Sequence, residues 1–123
     1  MSIATLRDIV IDCADPVPLA GFWSQVLGYP ILFQADDGGT VCLDAPDDPM
    51  RLWLVRVPEP KTVKNRVHID VNLEPGMGLE RLEQLGAKVL HPFGSIPDAG
   101  WAVLADPEGN EFCAFPPAEE TSA

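Results

Sequence analysis

His68 and Asp70 stand two residues apart in the run His68-Ile69-Asp70-Val71-Asn72. Ile69 and Val71 alternate with them, which is the pattern of a strand with one apolar face. His68, Asp70 and Asn72 therefore share the opposite face. An imidazole beside a carboxylate can act as a general acid-base pair without a metal. The same spacing also suits a neutral histidine hydrogen-bonded inside a cavity. Asp8 and Asp12 share one face of the run 7–13, opposite Ile9, Ile11 and Cys13. Glu111 and Cys113 share a face further on, their side chains starting about 6–7 Å apart. Asp12, Asp70 and Glu111 suit a cationic or hydroxyl-bearing ligand. Cys113 is either a nucleophile, which needs an activating base nearby, or a buried inert thiol.

These residues must be held by regular elements, and the chain spells them out twice. After the strand at 7–13, Asp15 and Pro16 mark a helix start, where proline loses no amide hydrogen bond. Leu19, Phe22, Trp23, Val26 and Leu27 then draw one apolar stripe, and Gly28 ends the helix. Strands are predicted at about 30–35, 40–44 and 51–57, with Asp36-Asp37-Gly38-Gly39 as a turn. The second half repeats the order. A strand runs through His68–Asn72, Leu79, Leu82 and Leu85 stripe a short helix that stops at Gly86, and strands follow at about 87–91, 101–105 and 111–115.

The repetition reaches single residues. Leu27-Gly28 matches Leu85-Gly86 at an offset of 58, and Asp8–Ile11 matches His68–Val71 at 60. Arg51–Val55 matches Glu111–Phe115 at 60, and Pro46 matches Pro107 at 61. Matches in order at nearly one offset point to two βαβββ modules. The predicted core is Ile9, Ile11, Phe22, Val26, Leu27, Ile69, Val71, Leu82 and Leu85. Two curved sheets with polar faces turned inward would enclose a polar-floored cavity; the plainer arrangement is an exposed sheet face.

A chain of 123 residues suits one domain: module one at about 6–57, a linker at 58–66 and module two at 67–116. The linker holds three of the eight basic residues, Lys61, Lys64 and Arg66. They either balance local charge or give a positive lip that steers anions. The net charge of −11 argues against nucleic acid and anionic lipid as partners. No apolar run is long enough to span a membrane. Three cysteines without CxxC spacing suggest reduced thiols, so the cytoplasm is the expected location.

Phe22-Trp23-x-x-Val26-Leu27-Gly28-Tyr29, Val67–Val71 and Asp106-Pro107-Glu108-Gly109-Asn110-Glu111-Phe112 together carry a resemblance. The chain resembles the vicinal oxygen chelate superfamily, in its compact glyoxalase-like branch (the glyoxalase/bleomycin resistance/dioxygenase group), over residues 6–116. In the third motif, Asp106 and Gly109 shape a tight turn and Asn110 bonds back to it. The resemblance implies an α+β fold of two tandem βαβββ modules forming a cupped mixed sheet, with helices on the outer face. It also implies a homodimer and a small-molecule ligand. The group includes lyases, isomerases, ring-cleaving dioxygenases, resistance enzymes and proteins that only bind a drug, so fold alone selects no reaction.

The group's metal ligands come from the first and last strands of each module. Those positions correspond here to Asp8, His68, Trp53 and Cys113. Tryptophan cannot ligate, and sulfur stands where a glutamate is expected, so no metal and no other cofactor is expected. Asp8, His68 and Cys113 remain as an alternative zinc set. The expected ligand-binding residues are Asp12, Trp53, His68, Asp70, Trp101, Glu111 and Cys113, with His68 and Asp70 as the catalytic pair if there is turnover. Trp53 would stack on a flat ligand or pack in the core. Trp101, beside the Pro97–Gly100 turn, would cap the cavity mouth or simply pack. The leading expectation is a small-molecule-binding protein. The alternatives are a metal-dependent lyase or isomerase, and a metal-free enzyme using His68.

Overall fold

The computed structural model describes residues 2–117; Met1 and residues 118–123, the ends of the 1–123 domain assignment, lie outside them. The chain divides into two compact units, Met1–Pro60 and Lys61–Ala123. The Lys61–Arg66 part of the predicted linker therefore belongs to the second.

The first unit runs β1 (Asp8–Cys13), α1 (Pro16–Leu27), β2 (Ile31–Gln34), β3 (Thr40–Leu43) and β4 (Arg51–Arg56). Its sheet has the order β1-β4-β3-β2, with β1 parallel to β4 and the other pairs antiparallel. The second runs β5 (Ile69–Asn72), α2 (Leu79–Leu85), β6 (Lys88–His91), β7 (Ala102–Ala105) and β8 (Glu111–Phe115). Its order, β5-β8-β7-β6, repeats the first, again with one parallel pair. The expected α+β class and the doubled βαβββ unit are both present.

The helices stand where the apolar stripes put them. Pro16 opens α1, and Gly28 closes it at φ 69°, a left-handed conformation that costs glycine least. Gly86 follows α2 at φ 122°, and a Cβ there would lie 3.2 Å from Pro107 Cγ. The conformation strains any other residue at that position, and the close approach of Pro107 adds to the preference for glycine.

The core differs from the sequence expectation. Phe22 and Leu82 are buried, but Ile11, Val26, Leu27, Ile69, Val71 and Leu85 are half-buried and Ile9 is 38% exposed. The reason is strand order. β1 and β5 are edge strands of their own sheets, whereas α1 packs on β3 and β4. The buried centre therefore falls on Val41, Leu43, Leu52 and Leu54 in the first unit. Leu104, Phe112 and Ala114 form it in the second. From α1, Leu19, Ala20, Phe22 and Trp23 are buried, the last two rings edge to face at 5.1 Å.

A β-bulge occurs at the same place in both units. In β2 the register skips Leu32, so Ile31 pairs with Leu43 and Phe33 with Cys42. In β6 it skips Leu90, so Val89 pairs with Leu104 and His91 with Val103. Phe33 and His91 are 58 positions apart, the offset of the helix ends. Each bulge turns its side chain onto the sheet face opposite the buried one, the re-aiming that bulges commonly perform.

Candidate functional site

On the second sheet, β5 and β8 run parallel with Asp70 opposite Cys113. Paired residues show the same face, so Asp70 and Asn72 lie with Glu111, Cys113 and Phe115. His68 immediately precedes β5, and its Nε2 lies 3.1 Å from Asp70 Oδ1. Both side chains are exposed, while Cys113 is buried. One donor atom from each of His68, Asp70 and Cys113 lies within 4.8 Å of the others. Burial raises the Cys113 thiol above its ordinary range. The Asp70 charge and a hydrogen bond to Asp70 add to this, against a smaller opposing effect of Lys64.

Glu111 points to the same face but is already engaged. Its Oε1 accepts the Asn65 backbone N–H at 3.0 Å, and its Oε2 meets Lys61 Nζ at 3.1 Å. The Asn65 hydrogen bond, with Lys61 beside it, holds this carboxyl below the usual glutamate range. Glu111 thus fastens the connecting segment to the sheet, and Lys61 spends its charge there. Asn110 makes the adjoining tie, accepting from Asn65 Nδ2 at 3.3 Å. The turn behind it is built as the motif requires. Asp106 is buried and accepts from the Glu108 and Asn110 amides at 2.9 Å, while Gly109 takes φ 86°.

Trp101 stands just before β7 with its ring 5.7 Å from that of Phe115, a residue of the His68 face. His91, brought to that face by the bulge, extends the row Asp70–Cys113–Val103 across the sheet. It is two strands from Cys113, about 10 Å away. Sequence alternation alone would have put Leu90 in its place.

On the first sheet, Asp8, Val10 and Asp12 pair with Arg51, Trp53 and Val55. Cys42 pairs with Trp53, and Phe33 with Cys42, so the same face carries both. The Phe33 and Trp53 ring centroids are 6.5 Å apart. The centre of this face is therefore apolar, flanked by exposed Asp12 and by Asp8. Trp53 is half-buried, and its Nε1 meets no acceptor among the described residues. Asp8 accepts the Arg51 backbone N–H at 3.3 Å and pairs with Arg7 at 3.6 Å.

The residues present do not fit the four-ligand metal centre that the family resemblance implies. One of its positions holds an indole packed beside Phe33, and another holds Asp8, bonded to its own sheet. The alternative zinc set of Asp8, His68 and Cys113 draws on both units. The donors shown together are His68, Asp70 and Cys113, all in the second.

Comparison with known proteins agrees with this architecture. The family model described as a glyoxalase-like domain matches residues 8–115. No curated protein sequence matches the chain significantly. Among solved structures, the fosfomycin resistance protein FosX from Listeria monocytogenes, solved with manganese(II) and a dihydroxypropylphosphonic acid, superposes with a TM-score of 0.72 at 12% identity. That match covers 97% of this chain and 94% of FosX. A glyoxalase/bleomycin resistance protein/dioxygenase family enzyme from Burkholderia phytofirmans gives 0.68 at 19% identity, covering 94% and 100%. A glyoxalase/bleomycin resistance protein/dioxygenase from Nocardioides gives 0.69 at 19%, covering 98% and 87%. At such identities the likeness shows a common fold alone. The chain belongs to the glyoxalase-like domain family.

Proposed function

We propose that this protein is a cytosolic, homodimeric small-molecule-binding member of its family that lacks the usual four-ligand metal centre. The carrying observation is the His68–Asp70 pair at 3.1 Å, exposed on a sheet face beside Cys113 and Phe115. With Nε2 turned to Asp70, the imidazole Nδ1 and the second Asp70 oxygen are left for a ligand's polar groups, and the neighbouring rings of Phe115 and Trp101 supply apolar surface. The preferred ligand is planar or partly apolar, with a polar group that meets His68 and Asp70. In the first unit, Trp53 and Phe33 form a separate aromatic surface flanked by Asp12.

No described helix is long and apolar enough to cross a membrane. The acidic charge balance further favours a neutral or cationic small molecule over nucleic acid.

Thermal-shift screening of planar, partly apolar compounds tests the reading. Hits should stabilise the wild-type chain and lose their effect in His68→Ala. Hits indifferent to both His68→Ala and Asp70→Asn would refute the assignment of this face. The close His68–Asp70 contact also favours a second reading, a metal-free acid-base enzyme. Turnover of a hit that survives exhaustive chelation and vanishes in His68→Ala would select it.

A further inference from the structure

We propose that Glu111 is a positioning residue for His68. Together with the Asp106–Asn110 turn it clasps the segment 61–67 to β8, and so fixes where the imidazole meets Asp70. Its functional consequence rests on the reading of the His68–Asp70 face as the binding site.

His68 lies just outside the ladder that orders the rest of its strand. The first register pair of β5 and β8 is Ile69–Phe112. The His68 backbone is therefore steadied by Ile69 on one side and by the segment 61–67 on the other. Apolar packing does little to hold that segment, since Val63 is 74% exposed and Val67 84%. Polar ties hold it instead. Glu111 Oε1 accepts the Asn65 backbone N–H at 3.0 Å, and Lys61 Nζ donates to Glu111 Oε2 at 3.1 Å and to the Val63 carbonyl at 2.7 Å. The Lys61 and Glu111 side chains are only 23% and 18% exposed, so solvent screens them less than an ordinary surface pair.

The motif turn supplies the other half of the clasp. Buried Asp106 accepts from the Asn110 backbone N–H at 2.9 Å and from Asn110 Nδ2 at 3.0 Å. That orients the Asn110 amide and leaves its Oδ1 to accept from Asn65 Nδ2 at 3.3 Å. Asn65 is thus held by both backbone and side chain, three residues before His68. Three residues reach at most about 11 Å, so movement of Asn65 passes to His68 through a short tether. The His68–Asp70 contact of 3.1 Å has little slack, because a separation beyond about 3.5 Å is no longer a hydrogen bond.

The chain has two histidines, His68 and His91, and the second serves as an internal control. The test is NMR of the imidazole groups in histidine-labelled protein at neutral pH, well below the melting temperature. In Glu111→Ala the His68 ring signals should shift and broaden while those of His91 stay in place. Glu111→Gln keeps an oxygen to accept the Asn65 N–H, so it should lower the melting temperature yet leave the His68 signals near their wild-type positions. Where Glu111→Ala fails to fold by circular dichroism, Asn65→Pro, which removes the donated N–H, carries the test. No ligand is used, so failure here is distinct from failure of the binding-face reading, which the thermal-shift screen tests. His68 signals unmoved in the folded variant, moved together with those of His91, or moved as far in Glu111→Gln would overturn the proposal.

Discussion

Asp70 and Cys113 face one another across the parallel β5–β8 pair, and the carboxylate acts on the thiol. Burial is the larger influence on Cys113, and the Asp70 charge and hydrogen bond add to it. All of these favour the protonated thiol. In metal-free protein, alkylation of Cys113 should be slow at neutral pH and accelerate only at alkaline pH. Asp70→Asn removes the negative charge and should move that rise toward lower pH. Site-resolved mass spectrometry of iodoacetamide labelling measures it; an unchanged profile would show that Asp70 does not govern the thiol.

The packing differences predict a graded mutational series. Leu54 is fully buried in the centre of the first sheet, and Leu54→Ala should cost about 2–5 kcal/mol. Half-buried Leu27 should cost less, about 1–2 kcal/mol on truncation to alanine, and exposed Ile9 under about 1 kcal/mol. Urea unfolding of the three variants checks the order.

Glu111 predicts a pH-dependent contribution to stability. Its folded-state pKa is depressed, chiefly by the Asn65 amide. The charged form is therefore favoured in the native protein. The contribution is fully present above the unfolded-state pKa and is lost as pH falls through the folded-state value. Glu111→Gln should destabilise by roughly 1 kcal/mol at neutral pH, a discounted figure for a pair near the surface. The gap should close in acid. Thermal melts across that range test the sign, and a gap that widens in acid would contradict it.

The proposed homodimer rests on the family resemblance and on β2, an edge strand whose Ile31, Leu32 and Phe33 are each about half exposed. Light scattering should give about twice the 13.3 kDa chain mass at tens of micromolar protein. The monomer mass would rule the dimer out under those conditions.

Much of the fold was legible because its signals are local. The apolar stripe ending at Gly28, its echo at Gly86, and the strand alternation around Ile69 and Val71 all act within a few residues. The Asp106–Asn110 turn was legible for the same reason. What escaped depends on partners distant in sequence. Ile9 reads as core by alternation, yet strand order leaves it at an edge. Phe33 and His91 change faces through bulges that periodicity does not mark. Glu111 reads as a free cavity carboxylate, but the approach of Asn65 and Lys61 decides its role. His68 and Asp70 were visible as a pair. Their meeting with Cys113 required the β5–β8 register.

Binding of small molecules through the His68–Asp70 face can be followed residue by residue by amide NMR of the isotopically labelled protein. The titrant is a screening hit that is planar and partly apolar. Concentration-dependent shifts are expected at His68, Asp70 and Cys113 and on the neighbouring strand β8, lost in His68→Ala. Saturable binding that shifts only amides away from β5 and β8, and persists in His68→Ala, would contradict binding through this face.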